Sequence, residues 1–235
     1  MAYEFYKSYL SSTPADYFKS NYDAFLDMSF ANASTYKGNG EVEKWNPVSK
    51  EWEVTTVRVA EAFNFNKQID GDTYEHFKEI IYPDNIELFL GDKYRYKNNI
   101  WLCIDNDSEG YVSHCLIKLC NSYIKIQTEE IKELIGTDSL GRPKYASTPV
   151  YFESECITSG KLYINTYLSV DKPINLPSGQ LVAFVPYDSD FTIKENMTFQ
   201  MYGYTYSIFD LDYTKVINGV GLLGIISQKV IEDSG

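Results

Sequence analysis

A chain of 235 residues with 44% hydrophobic content can bury one large core or two small ones and is not disordered. Its 33 acids outnumber its 21 bases for a net charge of -12, a field that repels phosphate and anionic head groups and disfavours a DNA-gripping role. The 21 Tyr and 13 Phe favour strands and place amphipathic rings at surfaces and subunit contacts, which points to assembly.

The start, Met1 to Lys7, lacks the basic stretch and apolar run of a secretory signal. Thr13, Pro14 and Asp16 form a helix-start signature, because hydroxyl and carboxylate satisfy free backbone N–H groups and Pro suits the first turn. Phe18, Tyr22, Phe25 and Ser29 then share one face, so an N-terminal helix packed on the domain or on a neighbouring subunit is expected. Asn32 to Asn46, with Gly38 and Gly40, reads as a loop. After Asn46-Pro47, alternation from Trp52 to Val59 predicts a strand. A short helix is predicted from Thr73 to Ile81, capped by Asp72 or Thr73, striped by Tyr74, Phe77 and Ile81, and stopped by Tyr82-Pro83.

Residues 92 to 112 reappear, shifted by 105 positions, as residues 197 to 217. Tyr94 lands on Phe199, Tyr96 on Met201, Trp101 on Tyr206, Ile104 on Phe209, and Asp105 and Asp107 on Asp210 and Asp212. Both copies read as β-hairpins, turning at Asn98-Asn99 and at Tyr202-Gly203. The first lies in a β-unit from Leu88 to Ile126 whose third strand runs from Tyr111 to Leu119. Ile124 to Ile135 has helical propensity at Thr128 to Leu134, but the turn cluster Thr137 to Pro143 leading into alternating Tyr145 to Glu155 favours a strand. Leu162 to Val170 alternates, Pro173 and Pro177 bracket an extended link, and strands are expected at Leu181 to Val185, Met197 to Met201, Tyr204 to Phe209 and Leu222 to Ile231. The expected fold is mainly β: two small barrel-like or hairpin units with an N-terminal helical segment. The divisions are residues 1–87 (helical segment, strand and short helix), 88–160 (first β-unit) and 161–235 (second β-unit).

Candidate chemical groups are sparse. Asp105, Asn106, Asp107, Ser108, Glu109 and Gly110 imitate the start of a calcium loop, but Leu116 stands where the bidentate Glu belongs and strands flank it, so an acidic hairpin loop is expected. Asp105 and Asp107 also form a DxD after an apolar strand, without the Gly-rich phosphate loop or alternating strands and helices of a nucleotide-sugar enzyme. His76 and His114 lie in no catalytic or zinc pattern, and sequons at Asn32, Asn106 and Asn196 carry no weight without a signal. Cys103, Cys115, Cys120 and Cys156 lack a CxxC pair and are expected as reduced thiols. Cys103 is expected in the core, opposite a position near Val112, so that Cys115 is out of register for a disulfide. Lys93, Arg95 and Lys97 share one strand face, expected to be a solvated or edge face that discourages aggregation. No catalytic, cofactor-binding or metal-binding residue is assigned and no cofactor is expected. The longest apolar run, Val220 to Ile226, is far below the roughly 20 residues of a bilayer helix, so no membrane partner is expected.

Gly91-Asp92-Lys93-Tyr94 through Asn99 to Asp105, followed by Leu116-Ile117-Lys118-Leu119-Cys120-Asn121, resembles neck proteins of tailed bacteriophages, in the head-tail connector or head-closure group. Phe199 to Asp212 followed by Gly221-Leu222-Leu223-Gly224 resembles the ending of such proteins, whereas the acidic stretch Thr128 to Glu133 and the long N-terminal segment depart from the pattern. The resemblance implies a non-enzymatic virion protein, made in the host cytoplasm and placed in the neck. It would self-associate into a ring, dodecameric or hexameric, between portal and tail proteins, with DNA passing through unbound. An acidic lumen would suit that passage, although screening over about 8 Å confines the repulsion to near contact. The alternative reading is a β-rich carbohydrate- or receptor-binding module of a tail fibre or surface protein, with exposed Tyr and Trp as sugar platforms.

Overall fold

A computed structural model describes residues 41–61, 76–82, 87–107, 113–137, 139–159, 161–162 and 174–230. The helix expected after Thr13 and most of the strand expected from Leu162 to Val170 lie outside the described residues. Within them the chain is mainly β. Strands β1 (Val42–Asn46), β2 (Glu51–Thr55), β3 (Arg58–Glu61), β4 (Phe77–Ile81), β5 (Lys93–Tyr96), β6 (Asn99–Asp107) and β7 (His114–Leu119) form one antiparallel sheet in the order β2-β1-β5-β6-β7-β4-β3. Strands β8 (Ser122–Thr137), β9 (Pro143–Ser159), β12 (Gln180–Pro186), β13 (Thr198–Met201), β14 (Tyr204–Ile217) and β15 (Val220–Lys229) close a barrel in the order β12-β15-β14-β13-β8-β9. A two-stranded ladder pairs β10 (Lys161–Leu162) with β11 (Ile174–Asn175).

The echoed hairpins fold alike, down to single hydrogen bonds. Tyr94 pairs with Trp101 and Phe199 with Tyr206. The first turn is Lys97-Asn98, one residue earlier than expected, and so falls on Tyr202-Gly203 at the same shift. All four turn residues have positive φ, as a right-twisted two-residue hairpin requires. The register against the following strand slips between Cys103 and Asp105 in one copy and between Ile208 and Asp210 in the other. Each hairpin therefore carries a bulge at its matching residue, Ile104 or Phe209. Gly91 N–H donates to Cys103 O and Cys103 N–H to Asp92 O, while Asn196 N–H donates to Ile208 O and Ile208 N–H to Met197 O.

The likeness extends to the whole sheets. β5 lies between β1 and β6 as β13 lies between β8 and β14, and β7 and β15 both turn back to β4 and β12. β2 and β3, at opposite edges of the first sheet, are consecutive stretches of one chain separated only by Thr56 and Val57, so the sheet curls until its edges meet. The interrupted strand β2–β3 thus stands where the continuous β9 stands in the second barrel, where β9 pairs with β8 along its start and with β12 through Ile157, Thr158 and Ser159. The chain holds a closed barrel preceded by a curled, barrel-like sheet of the same strand order, the first barrel. Their cores are filled by matched residues, Tyr94, Tyr96 and Cys103 in the first and Phe199, Met201 and Ile208 in the second.

Several expectations change. Val42 to Asn46 is a strand, because Val42 reaches the core while Glu43 and Lys44 pair outward with Arg95 and Asp92. Phe77 to Ile81 is a strand rather than the end of a helix. It is hydrogen-bonded on both sides, to β3 and β7, with Ile80 fully buried, so tertiary pairing overrides the helical stripe. The stretch from Ile124 is a strand as expected and continues to Thr137. The sheets divide between Leu119 and Ser122, so β8 and β9 belong with the second barrel and neither 87/88 nor 160/161 is a sheet boundary.

Only Cys120 and Asn121 link the barrels between β7 and β8. Cys120 N–H donates to Ile100 O of one barrel and Asn121 N–H to Cys156 O of the other. The Asn121 carboxamide also grips Thr158, accepting from its N–H at 2.8 Å and donating to its carbonyl at 3.0 Å. Leu102, Ile157 and Leu222 make a dry cluster between the barrels with Leu90, Ile104 and Phe184. Lys93 pairs with Glu155 at 3.9 Å across the same junction.

The two left-handed turns offer a controlled comparison. Lys97 is strained at φ 50 and its side chain is exposed, so Lys97→Asn is expected to raise stability by about 1 kcal/mol. Tyr202 is equally strained at φ 52, but its hydroxyl lies 2.7 Å from Thr158 Oγ1. Tyr202→Asn is expected to gain nothing, and urea denaturation midpoints of the two variants check the contrast.

Candidate interaction surface

β8 and β9 outrun their barrel. β13 pairs with β8 at Ile126, which faces Phe152 on β9, and both of these side chains are buried. Past the slip between Gln127 and Glu129 the two strands pair, among the described residues, only with each other, from Glu129 opposite Val150 to Thr137 opposite Pro143. At ~3.3 Å per residue this two-stranded arm reaches about 30 Å beyond the barrel wall. The first barrel turns tightly at the matching place, through Pro47 to Lys50, where the Asn46 carboxamide accepts from the N–H groups of Val48 and Ser49. The arm is therefore an outgrowth that barrel closure does not require. Ile131, Leu134, Ile135, Leu140 and Tyr145 along it are 52% to 75% exposed. Apolar side chains that exposed on a ribbon whose outer edges pair with no other described strand mark an interaction surface.

At the base of the arm, the loop after β12 shapes a recess of about 100 Å³ lined by Phe152, Tyr187, Asp188, Phe191 and Tyr213 among others. Phe152 stacks edge-on against Phe191, and Tyr187 against Tyr213. β14 continues past the recess into a hairpin turned by Asn218-Gly219, both at positive φ, with the exposed cross-strand pair Ile217 and Val220. The Asn-Gly signal for that turn was present in the sequence; strand β14 was expected to stop at Phe209 and runs on to Ile217.

The cationic strip does not lie on a sheet edge. β5 is an interior strand, and Lys93 and Arg95 are half-covered by an indole pair from the β1–β2 hairpin. Trp45 faces Trp52 across the strands with centroids 5.3 Å apart. The Arg95 guanidinium lies 4.2 Å from the Trp52 ring and 2.8 Å from Glu43, and Lys93 Nζ lies 5.0 Å from the Trp45 ring. Lys97, in the turn, sits over Tyr96. Arg95→Ala is expected to cost about 1–2 kcal/mol, chiefly lost stacking, because a partly exposed ion pair contributes little. Added salt should then erode little of the difference in denaturation midpoint between wild type and variant.

The remaining candidates serve structure. Asp105 to Asp107 end β6 rather than forming a loop; Asp105 accepts from Asn106 N–H, and the Asn106 carboxamide reaches Leu88 O. His114 Nδ1 lies 2.8 Å from the buried Glu79 carboxylate, and His76 precedes β4. Among the described residues no group of three or more His, Cys, Asp or Glu could hold a metal ion. All four cysteines are free thiols. Cys103 is fully buried and pairs with Ile117 rather than near Val112, and its thiol shares a hydrogen bond with Cys115. That bond, then burial, push the Cys103 thiol well up; burial alone does most of this for Cys120 and lifts Cys156 to about 12. These are packing groups in the neutral form, not nucleophiles. Because their folded values lie above the ordinary 9.0, the stability they contribute is complete below pH 9 and is lost as pH rises, when the unfolded thiols ionise first. Urea midpoints are expected to fall above pH 9, and less steeply in Cys156→Ala.

Residues 121–228 match the family described as the YomX C-terminal domain, a span that coincides with the second barrel. The chain is 25% identical over 151 residues to the SPbeta prophage-derived protein YomX of Bacillus subtilis (strain 168), a match that covers 62% of this chain and 68% of that protein. No solved structure matches. Both likenesses point to a phage-derived protein.

Proposed function

We propose that this chain is a structural, non-catalytic subunit of a phage head-tail connector, a neck ring that joins portal and tail and surrounds the passage for DNA. The observation that carries the reading is the arm: about 30 Å of two-stranded ribbon with five exposed apolar side chains on a pair of tightly coupled barrels, in a phage-derived chain. Rigid bodies with an extended arm suit lateral assembly, where each subunit reaches over the next. The net charge of -12 suits a conduit that must release DNA rather than hold it.

The carbohydrate-binding alternative fits the aromatic surface less well. A sugar needs the open face of a ring, whereas Trp52 is stacked by Arg95, Tyr151 by Lys125 at 4.2 Å and Tyr204 by Lys229 at 3.2 Å. Gold-labelled antibody on intact phage particles tests the proposal. Label at the head-tail junction is expected; label on fibres, or on no part of the particle, would reject it.

A further inference from the structure

We propose that the tip of the β8–β9 arm docks in the recess at the base of the same arm on a second copy of this chain, Leu140 entering between Tyr187, Phe191 and Tyr213. The inference deepens the neck reading and rests on it for the closure of successive contacts into a ring. Leu140 is the most exposed apolar side chain of the arm, 75% exposed at its turn. The recess has room for one branched aliphatic side chain, and its walls combine the rings of Phe152, Tyr187, Phe191 and Tyr213 with the polar Asp188, Ser189 and Thr192. A molecule cannot fill its own recess: Phe152, which lines it, pairs with Ile126 where the arm leaves the barrel, and the paired ribbon holds the tip about 30 Å away.

Charge selects the same partner. The arm as a whole, residues 129 to 150, carries four acids against three bases, but the two bases nearest its tip, Arg142 and Lys144, lie within four residues of Leu140. The recess wall carries Asp188, and Asp190 follows two residues on. Arg142 and Lys144 beside Leu140, meeting Asp188 at the recess wall, favour unlike surfaces of two copies over two arms lying together. Tip to base is also a head-to-tail contact, which uses each surface once per copy and propagates as a ring or filament rather than ending at a dimer.

Full-length protein carrying Leu140→Cys, mixed with protein carrying Ser189→Cys at the recess wall, reads the contact directly under mild oxidation. A mixed disulfide dimer is expected, in excess over either self-crosslinked species. Predominant Leu140→Cys self-crosslinking would show arm-to-arm pairing and overturn the proposal, as would no crosslink at all. Sedimentation supplies the second measurement. Leu140→Asp, at an exposed turn, is expected to keep the wild-type denaturation midpoint and to weaken self-association by about tenfold to a hundredfold. Wild-type protein that stays monomeric at its solubility limit, or a Leu140→Asp chain that assembles as before, would overturn it. Failure here leaves antibody label at the neck intact, and failure of that label leaves the crosslink intact, so the two proposals fall separately.

Discussion

Gly221→Ala is expected to destabilise the protein by about 3–5 kcal/mol, the sum of backbone strain and an unrelievable clash. Gly221 lies at φ +145, and a Cβ there would stand 2.0 Å from Lys215 O and 2.8 Å from Val216 Cα, both backbone atoms of the paired strand. Its own carbonyl accepts from Tyr187 N–H at 2.8 Å. The same carbonyl is what a Cβ on Gly91 would strike, at 2.3 Å, so the first barrel touches the second here backbone to backbone. Gly136, in the arm, provides the control. It has φ +147 but nothing within 4 Å of an added Cβ, so Gly136→Ala isolates strain from clash. Equal losses in the two variants, measured by urea denaturation, would refute the close approach.

Leu102→Ala is expected to cost about 3–4 kcal/mol and to separate the unfolding of the barrels. Leu102 is fully buried among Ile157, Leu222 and Phe184, and so belongs to the seam rather than to either core. Ile124→Ala, in the core of the second barrel, should cost a similar amount. The difference lies in cooperativity. Loss of the seam should turn one calorimetric transition into two, whereas Ile124→Ala should lower the melting of its own barrel; a single sharp transition in Leu102→Ala would show that the seam does not couple them.

The sequence disclosed the repeated hairpins because their matched residues are core residues: Tyr94 and Phe199, or Tyr96 and Met201, fill the same places in two barrels, and alternation follows from burial on one side. The arm was legible as strand through its turn cluster, despite the helical propensity of Thr128 to Leu134. What stayed hidden depends on pairing between distant strands. β1 shows Val42 alone to the core, and β4 is held as strand by neighbours on both sides. Closure of the second barrel requires Ile157 to meet Phe184, and no local pattern announces it. The Trp and cation stack was invisible for the same reason, since Trp45 belongs to a segment that reads as loop until β1 is paired with β2 and β5. The recess joins the loop after β12 to residues on β9 and β14, distant in the chain, with no motif to connect them.

A closed barrel and a barrel-like sheet of the same strand order in each chain give every molecule an approximate internal copy of itself. A closed circle of such chains would therefore show its neighbours twice as many kindred modules as it has subunits. Six chains, were they to close as proposed, would offer twelve similar footholds. With the arm grown from the second barrel while the first turns tightly at that place, the two sets of footholds remain distinguishable.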